Sequence, residues 1–308
     1  MTAFEKIVLV TRKTRLAQLV ERFNTRAQAK FYIEHAGGDF TDYVREDDAY
    51  TRSLAALHRS LDLGLRVQQV DRAFVPTFLF AKTDLIVAVG QDGLVANVAK
   101  YAGAQPIVPI NPEPSRFDGV LLPFQTPQAA EAVGRALEGT ARIREITLAE
   151  ARLADGQRLL AFNDLFVGAR THVSARYTLS AGGPPEPQSS SGVLISTGAG
   201  STGWLSSVFN MAAAVSAFTG GARGEPLHLG WEDPRLVYVV REPFASRASQ
   251  ISQVAGVIAP QTELVIESKM PSGGVIFSDG VESDALAFDA GAIARIGAAR
   301  QRTRLVVA

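Results

Sequence analysis

The chain has 308 residues, 46% of them hydrophobic and 20% charged, a length and composition that suit two ordinary domains with packed cores rather than disorder. Basic and acidic side chains number 31 each, so there is no net field to draw in a nucleic-acid backbone, and any phosphate has to be held by local groups. The absence of cysteine excludes disulfides, thiolate zinc sites and a cysteine nucleophile, and fits a reducing compartment with the cytoplasm as the default.

Residues 6–10 read as a first strand, too short for the apolar core of a signal peptide. The basic turn TRKTR follows it. Leu16, Leu19, Val20 and Phe23 then recur at helical spacing. Leu54, Leu57 and Leu61 mark a second helix over 48–63, and 66–70 suits the next strand. Residues 84–89, DLIVAV, form a continuous apolar run ending at Gly90, as in a parallel strand buried on both faces. A helix over 94–101 and a strand over 107–110 follow. This alternation predicts a parallel sheet covered on both sides, with ligands gathering at the carboxyl ends of its strands. From about residue 145 the texture changes to short β-prone segments at 158–162, 173–179, 193–196, 236–240, 262–266 and 274–277, which predict a mostly antiparallel β domain. One Ala-rich helix over 204–218 interrupts it. The Pro, Gly and Ser-rich stretch 181–193 reads as a hairpin loop. No charge-free apolar run is long enough for a membrane span.

The sharpest chemical signal is Gly90-Gln91-Asp92-Gly93, where a buried strand delivers an Asp between glycines onto the turn that opens a helix. Such a turn suits a polyphosphate, because small residues let backbone N–H groups approach the oxygens and the helix N-terminus is partially positive. A carboxylate there would repel phosphate unless it takes a hydroxyl proton or helps to hold magnesium. The plain alternative is an Asp-Gly turn. A second signal is the loop Ala199-Gly200-Ser201-Thr202-Gly203 before Trp204 and Ser207, rich in glycine and hydroxyls, which fits ribosyl or anionic ligands; by itself it would be a flexible connection. Asn163 and Asp164 offer an amide and a carboxylate to ribose or adenine, or else an Asx turn. Arg12 and Arg15 in the first basic turn, and Arg241 and Arg247 in REPFASR, are candidates for phosphate neutralisation, or ordinary surface charge. HExxH, GxSxG and GxGxxG are all missing, which disfavours histidine-bound metal, a serine-hydrolase elbow and a hydride-transfer dinucleotide fold.

Together these motifs resemble the NAD kinase family, in which a strand ends in GGDG, an Asn-acidic pair follows, and a TGS-type loop leads into a helix. The mitochondrial-type branch is the nearer likeness, on TRKTR, NPEPSRFDGVLLP at 111–123, GPPEPQSSSG at 183–192, REPFASR at 241–247 and FDAGAIARI at 288–296. The resemblance implies an N-terminal α/β Rossmann-like domain over 1–144, a C-terminal β-sandwich-like domain over 145–290, an active site between them, and a segment over 291–308 that returns toward the first domain. It implies that Asp92 is the general base, that Gly90, Gln91 and Gly93 line the phosphates, and that Asn163 and Asp164 hold the NAD substrate. It further implies that Ala199 to Trp204 and Ser207 shape the adenine and ribose pocket, and that Asp279 lies in a turn near the substrate. ATP, Mg2+ and NAD are the expected ligands, with no nucleic acid, no membrane and a homodimer as the expected assembly. Gln91 replaces a family glycine, Asp164 replaces the more common Glu, and Trp204 follows the mitochondrial-type pattern. The first strand begins within a few residues of the start, leaving no room for a transit peptide, as in a bacterial cytosol. The expected reaction is phosphorylation of the 2′-hydroxyl of NAD by ATP. A nucleotide sensor without transfer activity, favoured by Gln91, and a kinase of a lipid or sugar hydroxyl are the alternatives.

Overall fold

The apolar runs of the first third become the strands of a parallel sheet, and their carboxyl ends carry the turns of interest. In the computed structural model, which describes residues 4–222, 224–225 and 227–308, the chain divides into one unit running to residue 144 and including 303–308, and a second over 145–302.

In the first unit β1 (Lys6–Thr11), α1 (Arg15–Phe23), α2 (Arg26–His35), α3 (Phe40–Ser60), β2 (Arg66–Asp71), β3 (Asp84–Val89), α4 (Asp92–Ala99), β4 (Pro106–Asn111), β5 (Phe124–Gln125) and α5 (Ala129–Glu138) follow in order. β1 pairs in parallel with β2 on one side and β3 on the other, and β3 pairs in parallel with β4. Every residue of β3 and β4 is buried, because helices cover both faces. Ile7 and Leu9 of β1 and Leu85, Val87 and Val89 of β3 pack against Tyr50 and Leu57 of α3, Leu61 at its end, and Ala129, Ala132 and Val133 of α5. Side-chain caps start the helices: Thr14, Thr25 and Asp39 accept the amide protons of Ala17, Gln28 and Thr41. α3 begins at Phe40, eight residues ahead of the expected helix over 48–63. Its first two turns carry polar groups on the inward face, so no apolar repeat announces them.

The second unit contains β6 (Ile143–Leu153), β7 (Arg158–Ala161), β8 (Asp164–Ala169), β9 (Ala175–Ser180), β10 (Glu186–Ser190), β11 (Val193–Ser196), α6 (Trp204–Phe218), β12 (Leu236–Val240), β13 (Ala255–Ile258), β14 (Leu264–Ser268), β15 (Gly274–Ser278), β16 (Val281–Ala287) and β17 (Ile293–Val306). A six-stranded sheet runs β13-β12-β11-β8-β15-β16, all antiparallel. A second sheet contains the antiparallel order β10-β9-β14-β17. Leu165, Val167, Val193, Ile195 and Ile276 of the first share one core with Tyr177, Leu179, Leu264, Ile266 and Ile296 of the second, the arrangement of a β-sandwich. On its other face the six-stranded sheet carries Leu194, Val237 and Val239, which take up Leu205 and Val208 of α6.

Two expectations change. The stretch 181–193 is not loop throughout, since β10 forms inside it; Pro187 is compatible with that strand because β10 pairs only with β9 and lies at a sheet edge. The buried Glu186 carboxylate anchors it, accepting from Gln188 Nε2 at 2.7 Å and from the Ser252 amide at 3.0 Å. The C-terminal return also starts later than residue 291: Ile293–Ile296 pair with β14, and only the last six residues join the first unit, where Arg304 and Leu305 pair in parallel with β4. Among the described residues no helix is long and apolar enough to cross a membrane.

Candidate active site

The strand order 2-1-3-4 reverses direction between β1 and β3, so the crevice outside their carboxyl ends is where a parallel α/β sheet places its ligand. β1 ends there in Thr11 and Arg12, and β3 in Val89 and Gly90. The buried hydroxyl of Tyr50 ties the two ends together, accepting from the Arg12 amide at 2.9 Å and donating to the Val89 carbonyl at 2.9 Å. Burial pushes its phenol up to about 12, with the Arg12 amide and charge working against the rise. A Cβ on Gly90 would stand 2.9 Å from Leu94 Cδ2, so the Leu94 side chain would have to shift to admit one. Gln91 caps α4 with φ −108° and ψ 167°, ordinary extended backbone, and its amide makes no capping bond. The first amide groups of α4 are therefore left for another acceptor. Gly93 faces open space, with nothing within 4 Å of a built Cβ. Asp92 sits in the first turn, half-buried, and its Oδ1 accepts the Leu121 amide at 2.8 Å, which orients the carboxylate and holds the chain beyond NPEPSRFDG against the motif.

Arg12 and Arg15 are not free cations. Arg12 donates from both terminal nitrogens to Glu46 Oε1, at 3.0 and 3.1 Å. Arg15 bonds Glu46 through Nε and Asp42 through Nη2 at 2.8 Å, and Arg116 reaches the same Asp42 oxygen at 2.6 Å. Burial works against the Glu46 charge, but the two guanidiniums outweigh it and hold the carboxyl below its ordinary value. Arg116 and then Arg15 bring Asp42 down to about 2. Asp42, Glu46 and Tyr50 recur at steps of four along α3, so one helical stripe fastens the β1–α1 turn. Sequence reading missed this stripe because it joins residues far apart in the chain; the four-residue recurrence was its only local trace.

In the second unit Asn163, Asp164, Ala199, Gly200, Thr202, Gly203, Trp204, Asp279 and Gly280 line one cavity of about 360 Å3. Asn163 and Asp164 stand where β8 begins, and the loop after β11 lies against them. Thr197 bridges the two, donating its hydroxyl to the Phe162 carbonyl at 2.6 Å and its amide to the Asn163 carbonyl at 2.9 Å. A Cβ on Gly200 would lie 2.4 Å from the Asn163 carbonyl and 2.7 Å from Asp164 Oδ1, and one on Gly198 would lie 1.8 Å from the Gly230 carbonyl. Close approach of backbone to backbone, not loop flexibility, is what these glycines provide. Asp279, at φ +52°, turns its carboxylate onto three consecutive amides, accepting from Phe162 at 3.0 Å, Asn163 at 2.6 Å and Asp164 at 3.2 Å. It therefore positions the Asn163–Asp164 pair. Asp164 is 8% exposed, and its Oδ1 is buried without a hydrogen-bond partner. Burial pushes its carboxyl up to about 7; the neighbouring Ser196 hydroxyl offsets part of the rise and the Asp279 charge adds to it. A ligand N–H or O–H would satisfy this oxygen.

Ser201, Ser207, Arg241 and Arg247 do not line that cavity. Ser201 is buried and donates to the Gly198 carbonyl at 2.7 Å, and Ser207 donates to the Gly203 carbonyl at 3.4 Å, so both hold the loop and the first turn of α6. Trp204 lines the cavity while stacked on Phe166 at 5.7 Å, and Phe166 stacks on Phe277 at 4.8 Å. Arg241 covers the Trp204 ring at 5.4 Å and pairs with Glu242 at 3.6 Å. Arg247 is exposed in the same segment.

No family model matches the chain. It is 25% identical to the mitochondrial NAD kinase 2 of Rattus norvegicus, over 80% of this chain and 76% of that protein. Among solved structures, yeast NADH kinase complexed with NADH superposes with a TM-score of 0.57 and 16% identity, covering 99% of this chain and 84% of that one. An NAD kinase from Archaeoglobus fulgidus in complex with ATP gives 0.55 and 17%, covering 98% and 93%. The chain shares the fold of these kinases. At Gln91, where the NAD kinase pattern has glycine, the extended backbone shows that the turn itself does not require glycine.

Three outcomes follow from this geometry. Tyr50→Phe leaves the Val89 carbonyl and Arg12 amide without their partner and should cost about 1–3 kcal/mol in chemical denaturation. Gly200→Ala should cost about 1–3 kcal/mol by crowding, whereas Gly93→Ala should stay within about 1 kcal/mol of the parent in the same assay. Because the native Asp164 carboxyl holds its proton to higher pH than an unfolded one, its contribution to stability falls as pH rises from about 4 to about 7 and is flat above that. Asp164→Asn should therefore melt higher than the parent near pH 8, roughly, with the gap closing near pH 5, roughly, in thermal scans.

Proposed function

We propose that the protein is an NAD(H) kinase that uses ATP and magnesium to phosphorylate the adenosine-ribose 2′-hydroxyl of NAD, giving NADP. The observation that carries this reading is Asp92, set on the first turn of α4 outside the carboxyl ends of β1 and β3, with one oxygen fixed by Leu121. The other oxygen has no hydrogen bond among the described residues and is suited to accept a proton from a sugar hydroxyl. The uncapped amides of α4 suit the phosphates, because partial positive charge at a helix N-terminus favours anions. The second unit carries groups of its own: Asn163 and the unpartnered Asp164 oxygen suit donors on ribose or adenine, in a cavity whose wall includes an aromatic face.

Catalysis in this scheme rests on position and electrostatics. Asp92 takes the hydroxyl proton as the oxygen attacks the terminal phosphorus and the bond to the bridging oxygen breaks, ADP leaving, while the α4 amides meet the charge that builds on the phosphoryl oxygens. Among the described residues no group of three or more acidic or histidine side chains could hold a metal ion. A single free Asp92 oxygen fits magnesium carried mainly by the nucleotide phosphates, where the ion would neutralise their charge.

Purified protein given ATP, magnesium and either NAD or NADH should yield NADP or NADPH. Asp92→Asn should lower turnover roughly 100-fold or more, while nucleotide affinity by calorimetry changes little. Thermal stabilisation by NAD with no product from either acceptor would reject the kinase reading in favour of a nucleotide-binding protein.

A further inference from the structure

The Asp92 turn follows the carboxyl end of β3, and a different cavity of the first unit lies at the opposite, amino ends of the same strands. Phe4 comes just before β1, Lys82 just before β3, Gln105 and Pro106 at the start of β4, and Arg304 from the strand that pairs with β4 at Pro106. Leu137 near the end of α5 and Ile143 complete the wall. The cavity measures about 680 Å3, against about 360 Å3 for the one beside Asp164, and is large enough for a small organic molecule.

Its wall is held in shape by a buried amide. Gln105 is 7% exposed, and its Nε2 donates to the Ala81 carbonyl at 2.7 Å and the Phe80 carbonyl at 3.3 Å, which fixes the segment carrying Phe80 and Lys82. Its Oε1, against Gly103 of the same wall, is buried without a hydrogen-bond partner, so the protein does not satisfy every polar group there. Arg304 donates to the Ala104 carbonyl at 3.3 Å, which sets its guanidinium beside Gln105.

The charge is one-sided. No Asp or Glu lines the cavity. The acidic residues nearest in the chain are engaged elsewhere: Asp84 accepts from the Ala81 amide at 2.9 Å and pairs with Lys6 at 3.5 Å, and Glu5 accepts from the Thr83 hydroxyl at 3.1 Å. Among the described residues neither Lys82 nor Arg304 has a carboxylate partner. Two unmatched cations beside Phe4, Phe80, Ala136, Leu137 and Ile143 select a molecule with one anionic end and an apolar body, because each part finds its complement only there. We propose that this cavity is a second ligand site, which binds an amphipathic carboxylate of the medium-chain acyl type, its head between Lys82 and Arg304 and its chain against the apolar wall. None of these residues belongs to the candidate active site, so the inference stands or falls independently of the kinase reading.

Calorimetry on the full chain, with decanoate below its micelle concentration, should show saturable binding at one site, and decanol and decyltrimethylammonium should each bind roughly tenfold or more weakly. Lys82→Gln combined with Arg304→Gln should weaken decanoate roughly tenfold and leave decanol unchanged. Ala104→Trp, at an exposed wall position, should fill the space and abolish decanoate binding with an unchanged far-ultraviolet spectrum. Absence of saturable decanoate binding overturns the proposal, as does equal affinity for the ammonium compound or undiminished affinity in the double glutamine variant.

Discussion

The hydroxyl of Tyr50 is the interaction on which the turn between β3 and α4 depends. A turn that offers free amides to a ligand cannot also use them to hold itself in place, so its rigidity has to come from elsewhere. Tyr50 supplies that rigidity from α3, joining the Arg12 amide to the Val89 carbonyl immediately before Gly90. Asp92 adds a second restraint through Leu121, and Gly90 admits the close packing of Leu94. What remains open, the first turn of α4 and the space in front of Gly93, is open because its surroundings are fixed.

The second unit meets the same requirement with a carboxylate. Asp279 gathers the amides of residues 162 to 164, Thr197 fastens the neighbouring loop to the same strand, and Gly198 and Gly200 let the backbones touch. Asp164 has its Oδ1 buried without a hydrogen bond, and burial raises the pKa of its carboxyl. The electrostatics of the two parts thus differ. In the first, the Arg12 and Arg15 charges are matched by Glu46 and Asp42, leaving backbone dipoles as the source of positive potential at the turn; in the second, a carboxyl close to neutrality faces a small cavity.

Much of this was legible in the amino-acid order. The buried run 84–89, the Gly90–Gly93 turn and the helix behind it announce themselves locally, because a fully buried parallel strand has a continuous apolar code and a phosphate-type turn has a glycine code. The change to short strands after residue 145 marks the second unit equally well. The α3 stripe was not legible: Asp42, Glu46 and Tyr50 are polar or amphipathic and look like a solvated face until Arg12, Arg15 and Arg116 are brought onto them. β10 was hidden by its own proline and serines, whose strand pairing depends on an edge position that no local pattern encodes.

By itself, the sequence settled the sites of strong local chemistry: which strand ends in the GQDG turn, which loop is rich in glycine and hydroxyls, and which Ala-rich helix follows it. Tertiary structure alone decided the partners of the charged groups. It turned two candidate phosphate-binding arginines into ion pairs, made Asp279 the anchor of a backbone turn, and left Asp164 unpaired. The reason is physical: periodicity and backbone conformation are properties of neighbours in the chain, whereas the state of a charge is set by its burial and by groups from distant segments that only folding brings within reach.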